Sequence, residues 1–241
     1  MTNTSIVAAG HEFDIGCRVV RWDEPGGMSF YSGKKYIHRN YDIIKLRSEV
    51  KAFILHHAVT YTAKQTFVAM IGRGLSVNFI IDDDNVNGYS TIYQCLDILD
   101  AGYSQAPLNR RGPGVEISYQ PLASKMINAY SPENQKKYGV NEHLVETDVI
   151  HGQVLRVFPP SAPQIQSCIA LLWGFSELFP DVPMEFPHDA KGNVPKTSIA
   201  NPEKHEGFMA HYHLTRNKID PVGFPFDYVE NEVKKRRKIG F

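Results

Sequence analysis

Four short strand-like runs constrain this chain most. Residues 52–55, 77–81, 91–94 and 115–119 are each four or five residues long, rich in branched and aromatic side chains, and bounded by glycine, proline or polar turns. Runs of that length are too short for amphipathic helices and read as buried strands. Two helical patterns are interleaved with them. Thr62 and Gln65 form a capping box that opens a short helix through Phe67, Val68 and Ile71, which Gly72 and Gly74 stop. Ser161 and Gln164 form a second box. Behind it Ile165, Cys168, Ile169, Leu172, Phe175 and Phe179 recur at three- and four-residue steps until Pro180. Strands interspersed with helices predict an α/β single domain: a central mixed β-sheet flanked by helices.

The remaining segments read as additions to that domain. Residues 1–48 are expected to be an N-terminal extension packed on it, with short strands at 19–20 and 28–31 around the turn at Pro25-Gly26-Gly27. The main domain is expected to span 49–230, with insertions at about 120–158 and 183–206. The first insertion has no clear period, and the second is punctuated by four prolines. Residues 231–241 form a basic tail, open to two readings: a frayed, solvated end, or an anchor for anionic wall polymers or lipid.

Lys plus Arg balance Asp plus Glu at 26 each, which argues against a general nucleic-acid binder, whose phosphate contacts need a basic surface. Cys17, Cys95 and Cys168 are far apart and odd in number, which predicts folding in a reducing compartment rather than a disulfide framework. The N-terminus carries no basic start followed by an apolar run, and no stretch approaches the ~20 apolar residues of a membrane span. The expectation is synthesis in the cytoplasm without a leader.

Three places bear chemistry: His56-His57 at the end of the first strand, Glu116 within the fourth, and the segment from Ala210 to Pro221, which holds His211, His213, Lys218 and Asp220. A catalytic zinc takes three protein ligands and leaves one position open. A strand-end histidine and a His…Asp pair on a loop can meet that need. Spacing alone leaves the alternative standing, since the chain has ten histidines and some cluster by chance.

The residues also carry a resemblance. Phe53-Ile54-Leu55-His56-His57-Ala58, Gly74 to Asp82, Ile92-Tyr93-Gln94, Gly114-Val115-Glu116-Ile117, His211, Lys218-Ile219-Asp220-Pro221 and Phe226-Asp227-Tyr228 follow one another as in the type 2 N-acetylmuramoyl-L-alanine amidases. The similarity covers about residues 50–119 and 160–229. It implies a zinc hydrolase that cuts the amide between N-acetylmuramic acid and L-alanine in peptidoglycan or muropeptides. His56, His211 and Asp220 would hold one zinc, Glu116 would carry the proton, and Lys218 would stabilise the oxyanion. Asn109 resembles a family asparagine that contacts substrate, and Tyr103, His57 and His213 are further substrate-binding candidates. Tyr103 stands where many members have histidine, and Val77 where phage members have tyrosine, so substrate contacts are expected to differ. The resemblance admits a phage lysin released through a holin, a toxin delivered by a secretion machine, or a recycling enzyme on cytoplasmic muropeptides. Some relatives bind peptidoglycan without cutting it, which leaves a sensing module as the alternative.

Overall fold

The computed structural model describes residues 2–33, 35–122 and 145–239. Residues 123–144 of the expected insertion and residues 240–241 of the tail lie outside the described residues. The chain begins with a hairpin of β1 (Ser5–Ala8) and β2 (His11–Asp14), followed by β3 (Val19–Arg21). A short helix α1 (Ile43–Glu49) leads into β4 (Ala52–Val59), and α2 (Ala63–Gly72) leads to β5 (Phe79–Ile81), β6 (Ile92–Gln94) and β7 (Gly114–Tyr119). A second hairpin, β8 (Glu146–Ile150) with β9 (Gln153–Val157), precedes the long helix α3 (Ala162–Leu178). Then come β10 (Gly207–Ala210), the single turn α4 (His211–Leu214) and the C-terminal helix α5 (Phe226–Ile239).

Six strands form one mixed sheet in the order β10-β4-β7-β5-β6-β3. β10, β4, β7 and β5 run parallel, and β6 reverses against β5. The predicted α/β domain with a central mixed sheet is therefore the architecture observed. β4 is nearly buried throughout because it lies between β10 and β7 and has side chains packed on both faces. Successive side chains alternate between those faces. Phe53 and Leu55 join Val115, Ile117, Phe79 and Ile81 in the main core against α3, while Ile54 packs with Met209 and Leu108 on the other side. α2 covers that second side further along, with Ala63 and Met70 against Ile80. The sheet is thus the middle of three layers.

Several expectations change in three dimensions. Residues 19–21 do form a strand, and it extends the main sheet as a parallel edge partner of β6. Residues 28–31 do not: Phe30–Gly33 is a 3-10 turn whose Phe30 ring packs on Phe67, 4.6 Å between centroids. The described end of the expected insertion is the regular hairpin β8–β9, which periodicity missed because Val149 and Val154 face outward while Ile150, Leu155 and Val157 are buried, so no clean apolar–polar alternation marks it. The basic tail is not frayed at residues 231–239. It continues α5, which buries Phe226, Val229 and Val233 against α3. Four of its cations have partners within the chain: Lys234 with Glu230 at 2.8 Å, Lys235 with Glu232 at 2.5 Å, Arg236 with the Tyr89 hydroxyl at 3.3 Å, and Arg237 with Glu177 at 3.9 Å. The three cysteines are free and buried. No helix among the described residues is long and apolar enough to cross a membrane.

Candidate metal centre

The parallel pairing of β4 with β10 and β7 brings the chemistry together. His56 lies near the C-terminal end of β4, opposite Glu116 in the β4–β7 register. Strand alternation puts both on the face away from α3, because their neighbours Leu55, Val115 and Ile117 fill the α3 side. β10, on the other flank of β4, ends at Ala210 and delivers His211 at the start of α4. The chain then returns through Lys218 to Asp220, which precedes Pro221 in a cis peptide.

Three donor atoms converge there. His56 Nδ1 is 2.8 Å from His211 Nδ1 and 3.2 Å from Asp220 Oδ2, and His211 Nδ1 is 2.9 Å from the same carboxylate oxygen. Burial alone would lift the Asp220 carboxyl, but hydrogen bonds to His211 and His56 outweigh it and hold the group well below the usual carboxylate range. Burial lowers His211 to about 4, helped by the neighbouring His56. A shared proton can satisfy one edge of this triangle, whereas a divalent cation satisfies all three. Zinc bonded at about 2.0–2.1 Å would set its ligands roughly 3.3 Å apart, close to the observed edges. Two imidazole nitrogens and a carboxylate oxygen are also a donor set that borderline divalent metals accept. His56, His211 and Asp220 therefore form a group able to hold a metal ion.

A cleft of about 390 Å³ opens over this group, lined by Glu116, His57, His211, Lys218, Asp220 and the exposed Arg73, among others. Glu116 is pushed up to about 7, chiefly by burial; His56 pulls it down and Asp220 adds to the rise. Lys218 lines this cleft and an adjoining one of about 300 Å³, which Tyr103, Asn109 and Asn217 also border. Its ammonium has no ion-pair partner among the described residues.

The other candidates divide. Tyr103 is about half exposed and Asn109 is buried, with its side-chain oxygen accepting from the Gln105 backbone at 2.8 Å. His57 borders the main cleft, but its Nδ1 accepts from the Val222 backbone N–H at 3.3 Å, so it fastens the loop just past Asp220. His213 must be set aside as a substrate contact. It is fully buried, its Nδ1 accepts from the Ala210 N–H at 3.0 Å, and its Nε2 donates to the Pro195 carbonyl at 2.9 Å. Neither nitrogen is left for a ligand.

Sequence reasoning missed the groups that hold the Asp220 loop. His151, at the tip of the β8–β9 hairpin and in left-handed backbone (φ 54°), donates from Nε2 to the Lys218 carbonyl at 2.8 Å. Asp148 accepts from the Gly223 N–H at 2.8 Å, and the Tyr119 hydroxyl donates to the Val222 carbonyl at 2.7 Å. The loop is thereby gripped on both sides of Asp220. The residues doing so carry no local motif that could have announced them.

No protein-family model and no curated protein sequence matches the chain. Solved structures do. The Staphylococcus aureus hydrolase AmiA is 13% identical with a TM-score of 0.54, over 93% of this chain and 86% of its own. The fold is shared. The N-acetylmuramoyl-L-alanine amidases LysC and LysCS of Clostridium intestinale URNW also align over 90% of this chain. LysC is 12% identical with a TM-score of 0.48 over 98% of its length, and LysCS 13% with 0.47 over 95%.

Proposed function

We propose that this chain is a zinc-dependent N-acetylmuramoyl-L-alanine amidase, hydrolysing the amide between N-acetylmuramic acid and L-alanine in peptidoglycan or its muropeptides. The convergence of His56, His211 and Asp220 at 2.8–3.2 Å, beside a carboxyl and an ammonium in one cleft, carries the reading. The fold shared with AmiA and the order of motifs along the sequence agree with it.

A zinc ion held by the three ligands would polarise the scissile carbonyl and acidify the attacking water. Glu116, titrating near neutrality, is suited to take a proton from that water as its oxygen adds to the carbonyl carbon. The same carboxyl then returns the proton to the alanine nitrogen as the carbon–nitrogen bond breaks, so the base of the first step is the acid of the second. Lys218, on the loop two residues before Asp220, supplies positive charge to the carbonyl oxygen as it becomes an oxyanion. Tyr103 and Asn109 border the adjoining cleft and are proposed to contact the substrate away from the cut bond.

The test is incubation of the zinc-loaded protein with purified sacculi and, separately, with soluble anhydromuropeptides, followed by mass spectrometry. Release of peptides with a free L-alanine amine supports the amidase. Cleavage of intact wall points to a lysin or delivered toxin, and cleavage of the soluble fragments alone points to recycling. Binding of either substrate without cleavage would replace the amidase with a sensing module.

A further inference from the structure

Gln105 takes no part in the proposed hydrolysis. It is buried, with 1% of its surface exposed, directly behind His56. Its Oε1 lies 3.3 Å from His56 Nε2, and its Nε2 donates to the Gly112 carbonyl at 2.8 Å. Its own backbone N–H is held by the Asn109 side-chain oxygen at 2.8 Å. The amide orientation is therefore fixed by chemistry: only the NH2 group can face the Gly112 carbonyl, so the oxygen faces His56. An oxygen there accepts only if His56 carries its hydrogen on Nε2. That choice leaves the Nδ1 lone pair directed at His211 and Asp220.

Space for this amide is made by a missing side chain. Gly114 opens β7, and a Cβ on it would lie 2.4 Å from Gln105 Oε1 and 3.3 Å from Val77 Cγ2. Gly112, which receives the amide donor, is equally constrained: a Cβ there would overlap the Ala52 carbonyl of β4.

We propose that Gln105, seated over Gly114, is a positioning residue for the metal centre, locking His56 in the Nε2–H tautomer that presents Nδ1 as a ligand. This rests on the zinc reading of the same cluster. An outer-shell acceptor of this kind fixes both the tautomer and the ring orientation of a ligating histidine, and its loss weakens metal binding by roughly 10- to 100-fold.

The experiment measures zinc affinity of the metal-free protein by competition with a chromophoric chelator at neutral pH, with the thermal midpoint of each metal-free variant recorded alongside. Gln105→Ala and the volume-matched Gln105→Met should each weaken zinc by about 10- to 100-fold. Gly114→Ala should weaken it in the same direction by displacing the amide. In the Gln105→Ala background, where the methyl has room, Gly114→Ala should add little. A residue that only supports packing would shift the thermal midpoint and leave zinc affinity at the parent value. That result in either Gln105 variant, or a Gly114→Ala effect of equal size in both backgrounds, overturns the assignment. A parent protein that fails to bind zinc overturns the metal centre itself and with it the proposed function.

Discussion

Replacing Glu116 by glutamine separates the proposed proton carrier from the candidate metal group. The substitution keeps the shape of a side chain that sits in register with His56 on the central pair of strands, and it removes only the ability to accept and return a proton. Glu116 is not among the three converging donor atoms, so the metal group stays whole. A general acid–base contributes typically 100- to 10,000-fold, or about 3–5 kcal/mol of barrier, so kcat should fall by that factor with zinc content near one per chain. The pH profile adds a second handle. Burial holds the carboxyl at about 7, and the competent base is the ionised form. Turnover should therefore rise with pH along an acid limb, and a cation in the neighbouring cluster moves that limb below 7 rather than above it, since it favours the carboxylate. Glu116→Gln should abolish the limb along with most of the rate. The assay is steady-state hydrolysis of a defined muropeptide across pH, with elemental analysis on the same preparations. Parent-like turnover with zinc retained would show that another group carries the proton, and loss of zinc in the variant would show that Glu116 belongs to the ligand set.

Lys218→Ala should lower kcat by about a hundredfold or more with KM and zinc content little changed, because the charge it meets appears only in the transition state; a raised KM with kcat preserved would make it a ground-state contact instead. His213 is buried neutral and lowered by burial to about 3, so its stabilising contribution is complete above the unfolded value near 6.5 and is lost as pH falls from there toward 3. His213→Gln should flatten the acid side of the stability profile by up to about 1.4 kcal/mol per pH unit in that window, and a denaturation series with unchanged slope would refute this. Asp148→Ala should destabilise by about 1–3 kcal/mol, because the Gly223 N–H loses a charged acceptor, and an unmoved urea midpoint would contradict it. Val233→Asp should loosen α5 from α3 and cost a few kcal/mol, since it buries a charge without a partner; an unchanged thermal midpoint would restore the picture of a solvated tail.

Some of this was legible in the residues themselves, because the signals are local. Ser161 and Gln164 announce the start of α3, and the backbone N–H of Ser161 does donate to the Gln164 side chain at 2.9 Å. The short apolar runs announce β4, β5 and β7, because strands buried on both faces need little alternation to be recognised. α5 was legible in principle through Phe226, Val229 and Val233, spaced three and four apart, but the five consecutive cations of residues 234–238 obscured the pattern. Val19 and Val20 announced β3 as a strand, but only its pairing with β6 put it at the edge of the main sheet. The β8–β9 hairpin had no clear local signal, and its role lies in what it grips, the Lys218 carbonyl and the Gly223 N–H.

The candidate site divides the same way. Residue types and their order, with the likeness to a known family, named His56, His211, Asp220, Glu116 and Lys218. Whether they meet was beyond the sequence: His56 and His211 are 155 positions apart, and His56 and Asp220 164. Parallel pairing of β10, β4 and β7 closes that distance, and pairing is a property of the whole sheet rather than of any window of residues. His211 and His213 are chemically alike and two positions apart, yet one turn of helix sends the first to the metal group and the second into backbone hydrogen bonds. The orientation of the His56 ring was further still from view. It depends on Gln105, on the absent side chain at Gly114 and on the Gly112 carbonyl, which meet only when the loop before β7 folds back over β4.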